Sequence, residues 1–175
     1  MAHQVSPERR IARLTDAMRQ LAGGVAVITV GVTPDRSGYT GTAVFSLAIN
    51  PERIVVSISR ESSSYPLIRR PGLFGLNVLS GEQQHVADRF AGRGGIKGEA
   101  RFAGADWIVT ERGVSLLVGA LATAECRVEE IIERHSHAIV IGEPLAISAT
   151  SVGDALIYWR SAYRPVAQDV RVAAE

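Results

Sequence analysis

Residues 25–59 read VAVITVGVTPDRSGYTGTAVFSLAINPERIVVSIS, and this stretch decides the fold. Three runs within it favour extended backbone because they are rich in β-branched and aromatic side chains. These runs are residues 25–32, 39–49 and 53–59. Turn residues separate them, first around Pro34 and Gly38 and then at Pro51. Because these strands follow one another without helices between them, we expect an antiparallel sheet.

The segments on either side add an N-terminal helix and further strands. The helix is predicted over about residues 7–22, since Ser6 can cap it and Pro7 suits its first position. Its apolar residues recur at spacings of three and four: Ile11, Leu14, Met18 and Leu21. The other predicted elements are a helical turn at 65–70, a strand at 73–79, a helix at 82–91, strands at 115–128 and 138–148 joined by a charged extension or turn at 129–137, and a last short strand within 156–166.

These elements predict a mainly β fold with flanking helices. The 175 residues suit a single domain over residues 1–175, with a barrel at about residues 25–165. Several predicted strands are apolar on both faces, which indicates that the sheet closes into a barrel or is buried against a partner.

Composition excludes several classes of function. The formal net charge of +1 provides no field for nucleic acid or an anionic membrane surface. The single cysteine, Cys126, excludes an internal disulfide framework and a multi-cysteine metal site. Residues 1–19 have no apolar core of signal-peptide length, and no segment approaches the length of a membrane helix. We therefore expect a cytoplasmic protein that binds neither nucleic acid nor membrane.

A run of hydroxyl groups follows the third strand. It comprises Ser57, Ser59, Ser62, Ser63 and Ser64. Hydroxyls and backbone amides in such a loop can bind a phosphate, and Arg60 can add positive charge. The alternative is a solvated surface loop, in which serine is common. Thr40, Thr42 and Ser46 likewise form either a polar stripe that lines a ligand or one wet face of an ordinary strand.

The glycine-rich segment at residues 92–98 is not a dinucleotide-binding motif. Such a motif follows a strand and opens a helix, whereas this segment follows a predicted helix and leads into more loop. We interpret it as a mobile flap in which Arg93 and Lys97 can contact a phosphate.

Histidine and cysteine give few candidates for chemistry. His135 and His137 share a face if they lie on a strand, but no third metal ligand is evidently placed, so no metal is predicted. His137 opens an apolar strand and is expected at a barrel rim, either as a ligand contact or as a structural histidine. Cys126 lies among apolar residues and is expected to be inert. The chemistry is therefore expected to belong to a cofactor.

Several stretches together resemble one known family. They are residues 24–29, residues 38–43 continuing to 46–51, residues 54–64, residues 74–79 followed by Gln83 and residues 89–91, residues 137–142, residues 156–160, and Tyr163. In order and spacing they are similar to the flavin reductase family of split-barrel FMN-binding proteins, the reductase components of two-component flavin-dependent monooxygenases. The resemblance runs from about residue 14 to residue 165.

The resemblance implies an activity and a set of site residues. It implies an NAD(P)H:flavin oxidoreductase that reduces FMN or FAD with NADH or NADPH and supplies diffusing reduced flavin to a partner monooxygenase. It also implies a homodimer. His137 would be the catalytic residue that orients NAD(P)H. The implied cofactor-binding residues are Thr40, Gly41, Thr42, Ala43, Ser46, Ser57, Ser59, Ser62, Ser63, Ser64, Asn77, Arg89, Phe90 and Tyr158.

Three residues depart from the family pattern. Ala43 and Ala48 stand where serine is common, and Ser136 stands where an aspartate often precedes the histidine. The last change removes a charged partner for His137. A non-catalytic flavin-binding module on the same barrel is the alternative function, because a fold alone does not fix an activity.

Overall fold

The computed structural model describes residues 13–167. The strands in that range are β1 Gly23–Gly24, β2 Ala26–Val32, β3 Asp35–Gly41, β4 Val44–Ile49, β5 Glu52–Ser59, β6 Leu73–Val78, β7 Trp107–Val109, β8 Ser115–Leu117, β9 Ala122–Arg134, β10 His137–Ala149, β11 Ala155–Trp159 and β12 Ala162–Val166. The helices are α1 Leu14–Met18, α2 Tyr65–Arg69 and α3 Gln84–Phe90, with 3₁₀ turns at Gly81–Gln83, Arg93–Gly95 and Gly98–Phe102.

Seven strands form one curved antiparallel sheet in the order β3-β2-β6-β9-β10-β5-β4. The sheet bends so that the link between β3 and β4 returns to β5, where the amide of Ser57 donates to the carbonyl of Ala43 over 3.1 Å. Buried side chains such as Ile28, Phe74 and Val140 fill the space inside this split barrel. The prediction of a mainly β fold with flanking helices is thereby confirmed.

A second core lies on the outer face of the barrel. There the opposite side of β2 packs against α3, β8 and β11 through residues such as Val27, Phe90, Leu117 and Leu156. A three-stranded sheet, β1-β11-β12, and a two-stranded sheet, β7-β8, complete this layer. The outer layer matters for function because it forms one side of the cavity described below.

Three predicted strands are divided in the structure. Residues 39–49 belong to two strands because the chain leaves the β2 ladder after Gly41 and joins β5 from Val44 onward. The predicted strand at 115–128 breaks at Gly119, which has a left-handed φ of 74°. The C-terminal segment is a hairpin rather than one strand, because Arg160 and Ser161 both adopt positive φ and turn the chain.

The charged segment 129–137 is mostly strand. β9 continues to Arg134 and β10 begins at His137, so only His135 and Ser136 form the turn. The acidic residues of β9 are tolerated there because Glu129 and Glu133 pair with arginines on neighbouring segments.

The N-terminal helix is shorter than predicted within the described residues. It spans Leu14–Met18, and residues 7–12 of the prediction lie outside the described range. Gly23 and Gly24 form β1 instead of merely ending the helix. The predicted apolar stripe at Leu14, Met18 and Leu21 is exposed. No helix in residues 13–167 combines the length and apolar character needed to cross a bilayer.

Candidate active site

A cleft of about 480 Å³ lies on the outer face of the barrel. Its walls are the link between β3 and β4, the end of β5 with the loop after it, the start of β10, the turn after α3, and the β11-β12 hairpin. The lining residues are Tyr39, Thr40, Gly41, Thr42, Ala43, Ser57, Ile58, Ser59, Ser62, Ala91, Arg93, His137, Tyr158 and Tyr163. This volume is within the usual range for small-molecule sites, and the cleft gathers nine of the residues that the resemblance implied.

The strand link forms the floor of the cleft. Thr42 and Ala43 lie between the two ladders and line the cavity, and the carbonyl of Ala43 accepts from the amide of Ser57 on β5. The hydroxyl of Thr40 donates to the carbonyl of Ala87 on α3 over 2.6 Å, which uses that donor within the protein. Thr40 therefore contributes to the cavity chiefly through its backbone.

Tyr39 borders the cleft from the barrel side. Its hydroxyl is buried and has no hydrogen-bond partner in the part of the chain that the structure describes. Burial raises the pKa of Tyr39 above its ordinary value, so the phenol stays protonated.

The serine run divides into cavity residues and structural residues. Ser59 and Ser62 line the cleft, and the amide of Ser62 donates to the carbonyl of Ser59 over 3.1 Å. The hydroxyl of Ser64 is buried and donates to the carbonyl of Gly38 over 3.0 Å, which ties the loop to β3. Ser63 is exposed and lies outside the lining. The loop thus presents two hydroxyls in a fixed backbone.

His137 stands beside these hydroxyls. It opens β10 and is the register partner of Ser59 on β5, so both side chains project from the same outer face. The hydroxyl of Ser136 lies 2.9 Å from Nδ1 of His137. A ligand contact of this imidazole would therefore use Nε2. Ser136 gives the ring a neutral hydrogen-bond partner at the position where the resemblance expected an aspartate.

The opposite wall is aromatic and cationic. Tyr158 and Tyr163 pair across the β11-β12 hairpin with ring centroids 5.0 Å apart. The guanidinium of Arg93 lies 5.6 Å from the Tyr163 ring centroid and 3.0 Å from the Asp88 carboxylate. Burial, followed by the charge of Asp88, raises the pKa of Tyr163. Arg93 thus brings a cation to a cleft whose other polar groups are hydroxyls, backbone and an imidazole.

Close packing of α3 on β3 sets the position of Arg93. A Cβ on Gly38 would lie 2.7 Å from the Phe90 ring, so only glycine lets the helix approach this strand. The chain then leaves α3 through Gly92 and Gly94, whose φ angles of 74° and 70° form the turn that carries Arg93.

Five further implied residues lie outside the cavity lining besides Ser63. They are Ser46, Ser64, Asn77, Arg89 and Phe90. The side chain of Asn77 is buried, donates to the carbonyl of Val27 over 3.0 Å and accepts from the amide of Leu117 over 2.7 Å. Ser46 is exposed on β4, past the break that separates it from Thr42.

Arg89 and Phe90 serve the layer around the cleft. Arg89 donates to the carbonyls of Ala100 and Arg101 and so holds the chain that follows the glycine turn. Phe90 is buried in the second core, where its ring lies 5.0 Å from that of Phe102. Both residues shape the wall rather than face the cavity.

The cleft also includes Tyr39, Ile58, Ala91 and Tyr163, which the predicted site lacked, and Arg93, which the sequence suggested only as a phosphate contact in a flap. Arg93 had a signal, because it is a cation within a glycine-rich loop. The sequence signal for Tyr163 was weaker. This tyrosine pairs with Tyr158 across a hairpin, and the segment was predicted as one strand without a turn.

Neither a reactive thiol nor a metal cluster is present among residues 13–167. Burial, and next the charge of Glu125, raises the pKa of Cys126 to about 12, so the thiolate is scarce near neutral pH. No three His, Cys, Asp or Glu side chains in this range are placed to hold a metal ion.

A comparison of the sequence with protein families matches residues 18–167 to the family described as flavin reductase like domain. The chain therefore belongs to the flavin reductase family, and the predicted resemblance is confirmed.

Individual relatives cover most of the chain. This chain is 34% identical to FMN reductase (NADH) RutF 2 of Methylorubrum extorquens over 149 residues. That alignment covers 85% of this chain and 86% of the relative. The chain is 34% identical over 160 residues to the 4-hydroxyphenylacetate 3-monooxygenase reductase component of Pseudomonas aeruginosa, spanning 91% and 93%. Among solved structures, BorF, the flavin reductase component of a bacterial two-component tryptophan halogenase, superposes with a TM-score of 0.81 at 29% identity and covers 89% of this chain and 97% of its own.

Proposed function

We propose that the protein is an NAD(P)H:flavin oxidoreductase, built as one flavin reductase-like domain, that reduces FMN or FAD with NADH or NADPH. The observation that carries the proposal is the shared wall of Ser59, Ser62 and His137, which joins groups suited to a phosphate with an imidazole in one cleft. A flavin bound there would supply the chemistry, because its ring can accept a hydride from a reduced nicotinamide.

The residues of the cleft fit a flavin. Two hydroxyls in an ordered loop suit the phosphate of FMN or the pyrophosphate of FAD. The guanidinium of Arg93 adds a positive charge on the opposite side. The backbone of Thr42 and Ala43 offers peptide groups to the edge of a flat ring, and Tyr158 offers an aromatic surface. These are moderate contacts, which suit a flavin that must leave after reduction.

His137 orients the nicotinamide nucleotide. Ser136 holds the ring through Nδ1, which leaves Nε2 to hydrogen-bond a polar group of NAD(P)H. The imidazole thereby helps to align the donor with the flavin ring, and such alignment lowers the entropic part of the barrier. No nucleophile is required for this role.

The partner is a flavin-dependent monooxygenase that receives diffusing reduced flavin. The name of one similar protein supports this assignment, the 4-hydroxyphenylacetate 3-monooxygenase reductase component. A second similar protein, BorF, is the flavin reductase component of another kind of two-component system, a tryptophan halogenase. The modest set of cleft contacts agrees with release of the reduced flavin. A cytoplasmic location is part of the proposal and agrees with one buried free cysteine.

The protein is a homodimer in this proposal. Strand β4 lies at the edge of the main sheet and exposes 56% of Phe45, 51% of Leu47 and 82% of Ile49. An exposed, apolar edge strand is a liability in a monomer and is normally covered. A second copy of the chain would cover it next to the cleft, since β4 follows Ala43 directly.

Flavin-dependent oxidation of NADH or NADPH tests the function. Purified protein is assayed with each nicotinamide nucleotide and with FMN, FAD or riboflavin. Oxidation that requires both flavin and protein supports the proposal and gives both preferences. Flavin binding without oxidation would instead support a non-catalytic flavin-binding module.

A further inference from the structure

Two segments of the cleft wall are joined by hydrogen bonds and an ion pair whose side chains lie outside the cleft lining. One segment is the loop after β5, which carries Ser62, and the other is the turn before His137. Arg60 connects them with three contacts. Its amide donates to the carbonyl of Ser136 over 2.9 Å, one guanidinium nitrogen donates to the carbonyl of His135 over 3.0 Å, and another lies 2.9 Å from the Glu133 carboxylate.

Glu133 extends this network to the helix that follows the loop. Its carboxylate accepts from the Tyr65 hydroxyl over 2.6 Å and lies 3.5 Å from the guanidinium of Arg69. The Tyr65 hydrogen bond, followed by the charges of Arg60 and Arg69, lowers the pKa of Glu133. The carboxylate is therefore ionised throughout the pH range of ordinary assays. Glu133 thus contacts Arg60, Tyr65 and Arg69 at once.

The turn that this network holds has an unusual backbone. His135 adopts a left-handed φ of 51°, which costs free energy for a residue with a side chain. Its carbonyl accepts from the Arg60 guanidinium, and the carbonyl of Ser136 accepts from the Arg60 backbone amide. Arg60 thus stabilises the backbone conformation that places His137 opposite Ser59.

We infer that Arg60 and Glu133 are positioning residues, which fix the loop that carries Ser62 relative to the turn that precedes His137. Neither side chain lines the cleft, so both act through the residues that do. The inference rests on the proposed flavin site. It predicts a specific effect. Loss of either residue lowers the affinity for the ligand phosphate and shifts the imidazole of His137.

A matched ion pair in the same chain provides the control. Arg53 on β5 pairs with Glu129 on β9, so it has the same side-chain chemistry and the same acidic partner strand, whereas Arg60 lies just after the end of β5. Arg53 lies six positions before Ser59 on β5, about 20 Å away at roughly 3.3 Å per residue. Removing this pair alters surface charge and strand linkage without touching the cleft.

The first test compares FMN with riboflavin, which lacks the phosphate, by equilibrium fluorescence titration. In Arg60→Ala and Glu133→Gln, the Kd for FMN should rise about tenfold while that for riboflavin changes less than about twofold. Arg60→Lys offers one ammonium where arginine uses two separate nitrogens for His135 and Glu133, so its FMN affinity should be intermediate. Arg53→Ala and Glu129→Gln should leave the ratio of the two affinities unchanged.

The second test uses ligand-free protein and so does not depend on the proposed function. Amide hydrogen exchange is measured by mass spectrometry. In Arg60→Ala and in Glu133→Gln, exchange should become faster in both residues 60–64 and residues 134–137. In the two control variants it should not change in either segment. An unchanged FMN-to-riboflavin ratio, or exchange that rises in one segment alone, would overturn the inference. Failure of wild-type protein to bind any flavin would refute the proposed function instead, while the exchange result would still test the coupling.

Discussion

Ser59 and His137 are register partners on adjacent antiparallel strands, β5 and β10. Directly opposed residues on such strands carry side chains on the same face of the sheet, and here that face borders the cleft. Their neighbours Ile58 and Ala138 are buried in the barrel core, and Ile58 also borders the cleft from that side. The barrel core therefore fixes the relative placement of the Ser59 hydroxyl, which we propose binds the ligand phosphate, and the His137 imidazole.

Replacing His137 with alanine should slow turnover without weakening flavin binding. We expect kcat for NAD(P)H oxidation to fall about tenfold to a hundredfold because the donor loses alignment. The flavin Kd should stay within about twofold. His85→Ala is the control, since His85 is an exposed histidine outside the cleft. Unchanged kcat and KM in His137→Ala would remove His137 from the mechanism.

Replacing Ser59 or Ser62 with alanine should weaken FMN binding selectively. A hydrogen bond to a charged group contributes about 1.5–3 kcal/mol, so each change should raise the FMN Kd about tenfold or more. Riboflavin affinity should be little affected. Ser63→Ala, in the same loop but outside the lining, serves as the control. An equal loss for FMN and riboflavin would place the phosphate elsewhere.

Arg93→Ala should weaken FMN binding in a salt-dependent way. Arg93 is partly exposed, so we expect only about a threefold rise in Kd at low ionic strength, and the difference from wild type should shrink as salt is added. Lys97→Ala removes the same charge from the same loop without facing the cleft. Identical salt dependence of Kd in wild type and Arg93→Ala would contradict a role for this cation.

Asn77→Ala should destabilise the protein rather than impair the cleft. The change leaves the carbonyl of Val27 and the amide of Leu117 buried without their partner. The free energy of unfolding should fall by about 3 kcal/mol, as measured by urea denaturation. Ser148→Ala, at an exposed position on β10, should change it little. Weakened FMN binding at unchanged stability would show that Asn77 is a cofactor ligand after all.

Ile49→Lys should dissociate the proposed homodimer. A charge on the exposed apolar edge of β4 would be buried unpaired in the interface, which opposes association. Sedimentation velocity should detect monomer at concentrations where wild type is dimeric. Val152→Lys is the matched control, because Val152 is a similarly exposed apolar residue, at 77% in wild type. Wild-type protein that sediments as an active monomer would contradict the dimer itself.

The sequence predicted the sheet well because β-branched runs and turn residues are local signals. The run at residues 53–59 became β5 and the helical turn at 65–70 became α2, with bounds shifted by one residue. It did not predict the break at Thr42 and Ala43. That break arises because the chain changes partner from the preceding strand β2 to the following strand β5, and neither Thr42 nor Ala43 is a residue type that marks a turn.

The family resemblance, and not closeness in sequence, identified the predicted residues that line the cleft, and it gave no sign of which polar side chains serve distant backbone atoms. Thr42, Ser59 and His137 reached the cleft as expected. Asn77 and Arg89 did not, because their polar groups meet backbone atoms of Leu117, Ala100 and Arg101. Tyr163 joined the cleft only through the hairpin turn at Arg160 and Ser161.

Anaerobic reduction of the flavin tests the central claim most directly. Stoichiometric FMN or FAD is mixed with NADH or NADPH under argon, with and without the protein, and the oxidised flavin absorbance is followed by stopped flow. The account predicts rapid bleaching that requires the protein and is slowed in His137→Ala. Bleaching no faster than in buffer, for every pairing of flavin and nucleotide, would contradict it.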